Sequence, residues 1–195
     1  MNKLLIEYNN LINTISNTNS NTNSNTNTNT NSITRYKIYL GKKLFDDCFY
    51  TNINKRCFEV CFQNIKDKNN YNKIKYEVYT KYIHNNKELI VLRDGSNYCL
   101  KINKDLNSIA NNHAYFNLKD KIRIKNDEFP IKFEYDNTIL IETISLEYNK
   151  YNINFSINYD EKFVNEISIE IKDKDINSIE IINIVNEIND IIVNY

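Results

Sequence analysis

The chain is expected to fold as a mainly β (α+β) domain: about nine antiparallel strands forming a barrel or a sandwich, one helix after the first strand and one C-terminal helix. Three observations lead there. Apolar and polar residues alternate with a period of two over most of residues 73–172. Asn- and Asp-rich breaks interrupt that alternation at short spacing, as turns do. The period lengthens to that of a helix at two places, after Asn54 and after Ile176.

Residues 1–16 form an N-terminal segment, in which the pattern of 2–13 fits a short helix or a strand equally. Residues 17–32 alternate Asn strictly with Thr or Ser. They offer nothing apolar to bury and are expected to be a disordered spacer, with a polar interaction tract as the alternative. The period puts Asn two places after each Asn, so the tract holds no glycosylation acceptor, which fits an intracellular protein. The folded domain is expected over 33–195. In it, Thr34, Tyr36, Ile38 and Leu40 alternate with Arg35, Lys37 and Tyr39, and Gly41 ends the strand. Asn52 or Asn54 is the expected N-cap of a helix carrying Phe58, Cys61, Phe62 and Ile65 on one face.

A meander follows, with strands at 73–82, 89–93 and 98–103 joined by turns at 84–87 and at Asp94-Gly-Ser-Asn97. After a loop near 111–114, strands are expected at 117–125, 131–135, 138–148, 151–159 and 166–172. Tyr151, Ile153, Phe155, Ile157 and Tyr159 give the cleanest alternation. Ile181, Ile184, Val185, Ile188, Ile191 and Ile192 then trace a helical stripe, expected to pack on the outside of the sheet.

With 195 residues the chain has room for one domain with a substantial core. Its formal net charge is zero, so any phosphate binding must be local. The bias toward Asn, Ile, Lys and Tyr carries the imprint of an AT-rich genome. With only 2 Gly, Gly41 and Gly95, the chain has neither the clustered glycines of P-loop, kinase and dinucleotide-binding loops nor a nucleophile elbow. Cys48, Cys57, Cys61 and Cys99 form no Cys-x-x-Cys pair and read as buried thiols of a reducing compartment, with half a zinc site as the alternative. No apolar run is long enough for a membrane span, and the N-terminus is a poor signal peptide, so a cytoplasmic location is expected. His84 and His113 sit in polar loops and read as surface residues.

Two strands carry the functional signal. Residues 117–125 place Lys119, Lys121, Arg123 and Lys125 on one face. Residues 166–171 place Glu166, Ser168 and Glu170 on one face and three isoleucines on the other. A basic face and an acidic face in one small β domain suggest a cavity for phosphates and a metal ion. The competing reading makes both faces the wet side of an open sheet.

In element order the chain resembles the triphosphate tunnel metalloenzymes, in particular the metal-dependent RNA 5′-triphosphatases of fungal and viral mRNA capping. The resemblance spans 33–195. Arg35-Tyr-Lys-Ile-Tyr-Leu-Gly-Lys42 and its Phe-rich helix sit where that family's opening strand lies. Tyr76-Glu-Val-Tyr79 with Leu89–Arg93 resembles the next hairpin, the basic strand with Asn126-Asp-Glu128 the family's basic strand, Glu142-Thr-Ile-Ser145 with Ile153-Asn-Phe-Ser156 a later hairpin, and Glu166-Ile-Ser-Ile-Glu170 the closing acidic strand. The resemblance implies a closed β tunnel with inward charges. It implies that Glu166 and Glu170 are the catalytic residues and hold Mg²⁺ or Mn²⁺. Arg93, Lys101, Lys119, Lys121, Arg123 and Lys125 would bind phosphate, Glu77 and Glu142 would join only from the inward face, and water would be the nucleophile. The implied partners are triphosphate-ended RNA or a nucleotide, and a capping or transcription protein.

Where the family's opening strand carries two glutamates this chain has Arg35 and Lys37, the middle of the closing strand is Ser168, and Ile141 and Thr143 precede Ser145 where basic residues are expected. Two alternatives follow: a non-catalytic tunnel-fold binding or scaffold subunit in transcription or RNA processing, and a β-sandwich protein-interaction module.

Overall fold

The computed structural model describes residues 32–43, 48–110, 112, 114–124, 137–159, 163–172 and 176–194, with Ile6 and Asn9. The spacer up to residue 31, the strand expected at 131–135, Lys125, Asn126-Asp-Glu128 and His113 lie outside these residues. Along the chain come β1 (Ser32–Leu40), β2 (Lys42–Lys43), β3 (Phe49–Tyr50), α1 (Lys55–Asp67), β4 (Lys73–His84), β5 (Lys87–Leu92), β6 (Asn97–Ala110), β7 (Ala114–Ile124), β8 (Asn137–Glu147), β9 (Tyr151–Tyr159), β10 (Phe163–Ile171) and α2 (Ser178–Asn194).

Eight of the strands close into a barrel in the order β1-β10-β9-β8-β4-β5-β6-β7, and β2 and β3 form a separate ribbon. The fold is therefore a barrel rather than a sandwich. All the strand pairs are antiparallel. Three pairings between sequence-distant strands complete the circle: β7 runs along β1 from Ser32↔Ile122 to Leu40↔Ala114, β10 along β1 from Tyr36↔Ile171 to Tyr39↔Ser168, and β4 along β8 from Lys73↔Glu147 to Ile83↔Asn137. Closure gives each barrel strand a paired neighbour on both sides. β6 is longer than its alternation suggested. It extends through Asp105 and Asn107, poor strand formers, because β7 pairs with it across two register shifts.

Local chemistry fixes the ends of the elements. Asn54 caps α1, its Oδ1 accepting from the Arg56 amide at 2.9 Å. The β5–β6 turn puts Gly95 at φ +84°, and Asp94 accepts from the Ser96 amide at 2.8 Å. At Gly41 a Cβ would lie 2.0 Å from the Tyr50 carbonyl oxygen, so only glycine lets the ribbon fold back against the end of β1.

The apolar core lies outside the barrel. Tyr36 and Ile38 of β1, Phe155 of β9 and Ile167, Ile169 and Ile171 of β10 turn outward, where α1 and α2 cover them. α1 contributes Cys57, Phe58, Cys61 and Ile65, and α2 contributes Ile181, Val185, Ile188 and Ile192. Phe155 is wedged edge-on between Phe58, with ring centroids at 5.6 Å, and Phe62, at 5.2 Å. Burying these faces is the main stabilising term. Cys57, Cys61 and Cys99 are buried as expected, whereas Cys48 is exposed. Among the described residues no helix is long and apolar enough to cross a membrane.

Candidate functional site

Because the outward faces of β1, β9 and β10 are apolar, period-two alternation turns their polar faces into the barrel. Lys37, Asn152, Asn154, Ser156 and Glu170 face the lumen, with Glu166 and Ser168 on the same face of β10 as Glu170. The neighbouring strands add Thr143 and Ser145 of β8, Lys75, Glu77 and Tyr79 of β4, and Asn117, Lys119 and Lys121 of β7.

The lumen contains two adjoining chambers. One, of about 240 Å³, is lined by four lysines, Lys37, Lys81, Lys119 and Lys121, against the single carboxylate Glu88. The other, of about 270 Å³, is lined by Glu77, Glu147 and Glu170 with Lys37 and Lys75. Lys37, Tyr79 and Tyr98 belong to both.

Several of these charges are paired. Lys121 donates to Glu88 at 2.5 Å, the two side chains keeping only 12% and 14% of their surface. Burial alone would push the Glu88 carboxyl up, but the charge and hydrogen bond of Lys121, aided by Lys81 and Lys119, hold it below the usual range. Lys75 meets Glu77 at 2.9 Å. Lys37 Nζ lies 3.6 Å from Glu166 Oε1 and 4.7 Å from the Tyr39 ring centre. Burial opposes its charge, yet Tyr39, Glu166, Tyr79 and Glu170 together outweigh that and raise its pKa. Burial raises the Tyr39 and Tyr79 phenols. A buried neutral floor completes the site: Thr143 and Ser156 share a hydrogen bond of 2.9 Å. Ser168 Oγ and Asn152 Oδ1 are buried with no partner among the described residues.

Glu166, Glu170, Lys119 and Lys121 thus share the lumen. Arg123 is exposed, its guanidinium 5.4 Å from the centre of the Tyr98 ring. Lys101 is exposed next to the lumen-facing Leu100 and so stands on the outer face. Arg93 is exposed in the β5–β6 turn, its amide donating to the Val78 carbonyl. Glu77 faces inward. Glu142 is exposed on the outer face, where it accepts from the Tyr159 hydroxyl at 2.9 Å. Arg35 is on β1 opposite Lys119. Lys75, Lys81 and Glu88 were not among the sequence candidates. The alternation of β4 placed Lys75 and Lys81 on one face, but alternation does not say which face is enclosed.

A divalent cation of the Mg²⁺ type needs several oxygen ligands, usually carboxylates. Among the described residues no three His, Cys, Asp or Glu side chains converge, Ser168 separates the two β10 glutamates, and the Lys37 ammonium is paired with Glu166. These residues do not fit a resident divalent ion.

No protein-family model and no curated protein sequence matches the chain. Solved structures do. The S. pombe Pct1 RNA triphosphatase superposes with a TM-score of 0.59 at 9% identity, covering 83% of this chain and 82% of that one. The same enzyme in complex with the Spt5 CTD gives 0.57 at 9% identity over the same shares. A conserved hypothetical protein from Pyrococcus furiosus gives 0.42 at 12% identity, covering 82% and 90%. At such identity the Pct1 likeness concerns the fold alone. A closed antiparallel barrel with its apolar core outside and its charges inside is a tunnel fold, and this chain has it.

Proposed function

We propose that the lumen binds the triphosphate end of RNA or of a nucleotide. The observation that carries this reading is the lysine-rich chamber, four ammonium groups against one carboxylate inside a closed barrel. Triphosphate is the small, highly charged anion such a chamber suits. Lysines bind phosphoryl oxygens as point charges through rotatable donors, and partial burial within the barrel strengthens each contact. Lys119 and Lys81 would take the phosphoryl oxygens. Lys121 would be shared between Glu88 and the ligand. Glu88 fixes the Lys121 ammonium in place and offsets its charge.

The test is calorimetric binding of tripolyphosphate, with inorganic sulfate as a control for general anion affinity. Lys119→Ala is expected to weaken tripolyphosphate binding by roughly tenfold, the value of one charge-assisted hydrogen bond. Absence of tripolyphosphate binding by the folded wild type would overturn the reading.

Hydrolysis of the terminal phosphate, as in the RNA 5′-triphosphatases of mRNA capping, is a second reading. It is favoured by Glu166 and Glu170 lying on one face of β10 beside the lysines. Phosphate release from triphosphate-ended RNA or a nucleoside triphosphate with Mg²⁺ or Mn²⁺, lost in Glu170→Gln, would support it. Binding without release would leave a non-catalytic subunit of transcription or RNA processing.

A further inference from the structure

We propose that the Lys37 ammonium occupies the role of a divalent cation, so that the lumen holds a triphosphate without a metal. The inference rests on the triphosphate-binding reading and adds how the ligand's charge is met.

Four features of the lumen lead to it. Lys37 is the cation common to both chambers, the place from which a positive charge can touch carboxylates on one side and a ligand on the other. It is the register partner of Glu170 across β1 and β10, and its Nζ lies 3.6 Å from Glu166 Oε1, so it stands among the carboxylates that a metal would need. Two further carboxylates of the lumen are already met by lysines, Glu77 by Lys75 and Glu88 by Lys121. A divalent ion entering this set would meet an ammonium and displace existing pairs. Finally, the side chain between Glu166 and Glu170 is the fully buried Ser168. Its hydroxyl, unpartnered among the described residues, is neutral where a metal site would carry an anionic ligand.

The ammonium suits the task. It carries three donors on a flexible stem. The Tyr39 ring beneath it, 4.7 Å from Nζ to centroid, steadies the charge without neutralising it.

The experiment measures tripolyphosphate binding in EDTA and again in Mn²⁺, with Mn²⁺ binding followed separately by electron paramagnetic resonance. Wild type is expected to bind tripolyphosphate in EDTA, with no gain on adding Mn²⁺, and to take up no Mn²⁺ in the absence of ligand. Lys37→Glu is expected to lose binding in EDTA by roughly tenfold or more, and to recover it with Mn²⁺ while gaining a Mn²⁺ signal. Should Lys37→Glu fail to fold, Lys37→Met keeps the apolar stem and is expected to lose binding in EDTA alike. Wild-type binding that vanishes in EDTA and returns with Mn²⁺ would overturn the role of Lys37 while leaving triphosphate binding intact. Undiminished binding by Lys37→Met would also overturn it. No binding by wild type under either condition would remove the triphosphate reading itself.

Discussion

The two sides of the barrel are built differently. The wall made of β1, β10 and β9 is roofed by α1 and α2, and its outward residues, Ile38, Phe155 and Ile169 among them, are almost wholly buried. The wall made of β4 and its neighbours has no such roof among the described residues: Tyr76, outward on β4, keeps 68% of its surface. Inside, the order is reversed. The roofed wall supplies the neutral floor, Asn154, Ser156 and Ser168, with Lys37, Glu166 and Glu170, while β4, β5 and β7 supply Lys81, Glu88, Lys119 and Lys121. Stability is therefore concentrated on one side, and most of the lysine-rich chamber is on the other. The unroofed wall depends on its strand ladders and on ion pairs inside the lumen.

Substitutions on each side should expose that asymmetry. The largest effect is expected from Phe155→Ala, which empties the space between Phe58 and Phe62 and should lower the unfolding free energy by about 3–5 kcal/mol in urea titration. Glu88→Gln comes next. It removes the counter-charge that Glu88 gives the nearly buried Lys121 ammonium and is expected to cost roughly 1–3 kcal/mol at neutral pH.

The same residue gives a pH signature. The folded Glu88 carboxyl lies below the ordinary glutamate value of 4.5, so its contribution is complete above that value and is lost as pH falls through the lower folded one. Wild type should therefore lose more stability than Glu88→Gln when urea midpoints are compared between about pH 5 and pH 3. Glu187→Gln removes the pairing with Lys68 that ties α2 to α1; being half-exposed, it should change stability by under about 1 kcal/mol. Smallest is Tyr76→Thr, expected within about 0.5 kcal/mol. A large loss there would mean that the outer face of β4 is covered after all.

Much of this could be read from the chain beforehand. The β9 alternation from Tyr151 to Tyr159, the Asn54 cap and the isoleucine stripe of α2 are local patterns, and local physics dictates them. Glu166, Glu170, Lys119 and Lys121 were placed correctly on shared strand faces for the same reason. Barrel closure was expected from the resemblance alone and was not legible in local patterns, because pairing β4 with β8 joins residues far apart in sequence, from Lys73↔Glu147 to Ile83↔Asn137, and leaves no local trace. Nor was the sense of each face. For Lys75, Lys81 and Glu88 the usual rule, apolar side inward, points the wrong way. Here the inside of the sheet is the wet side, and apolar residues such as Tyr76 can stand in the open. Lys101 and Arg93 entered through the resemblance; strand parity places Lys101 on the outer face, and Arg93 lies in the β5–β6 turn.

The inverted layering has a consequence for how this protein can change. Residues that decide what enters the barrel are not the residues that hold it shut. An ammonium could be exchanged for a carboxylate at the centre without disturbing a single methyl group under the helices, so one scaffold can pass between guests of different chemistry by small edits to its lining.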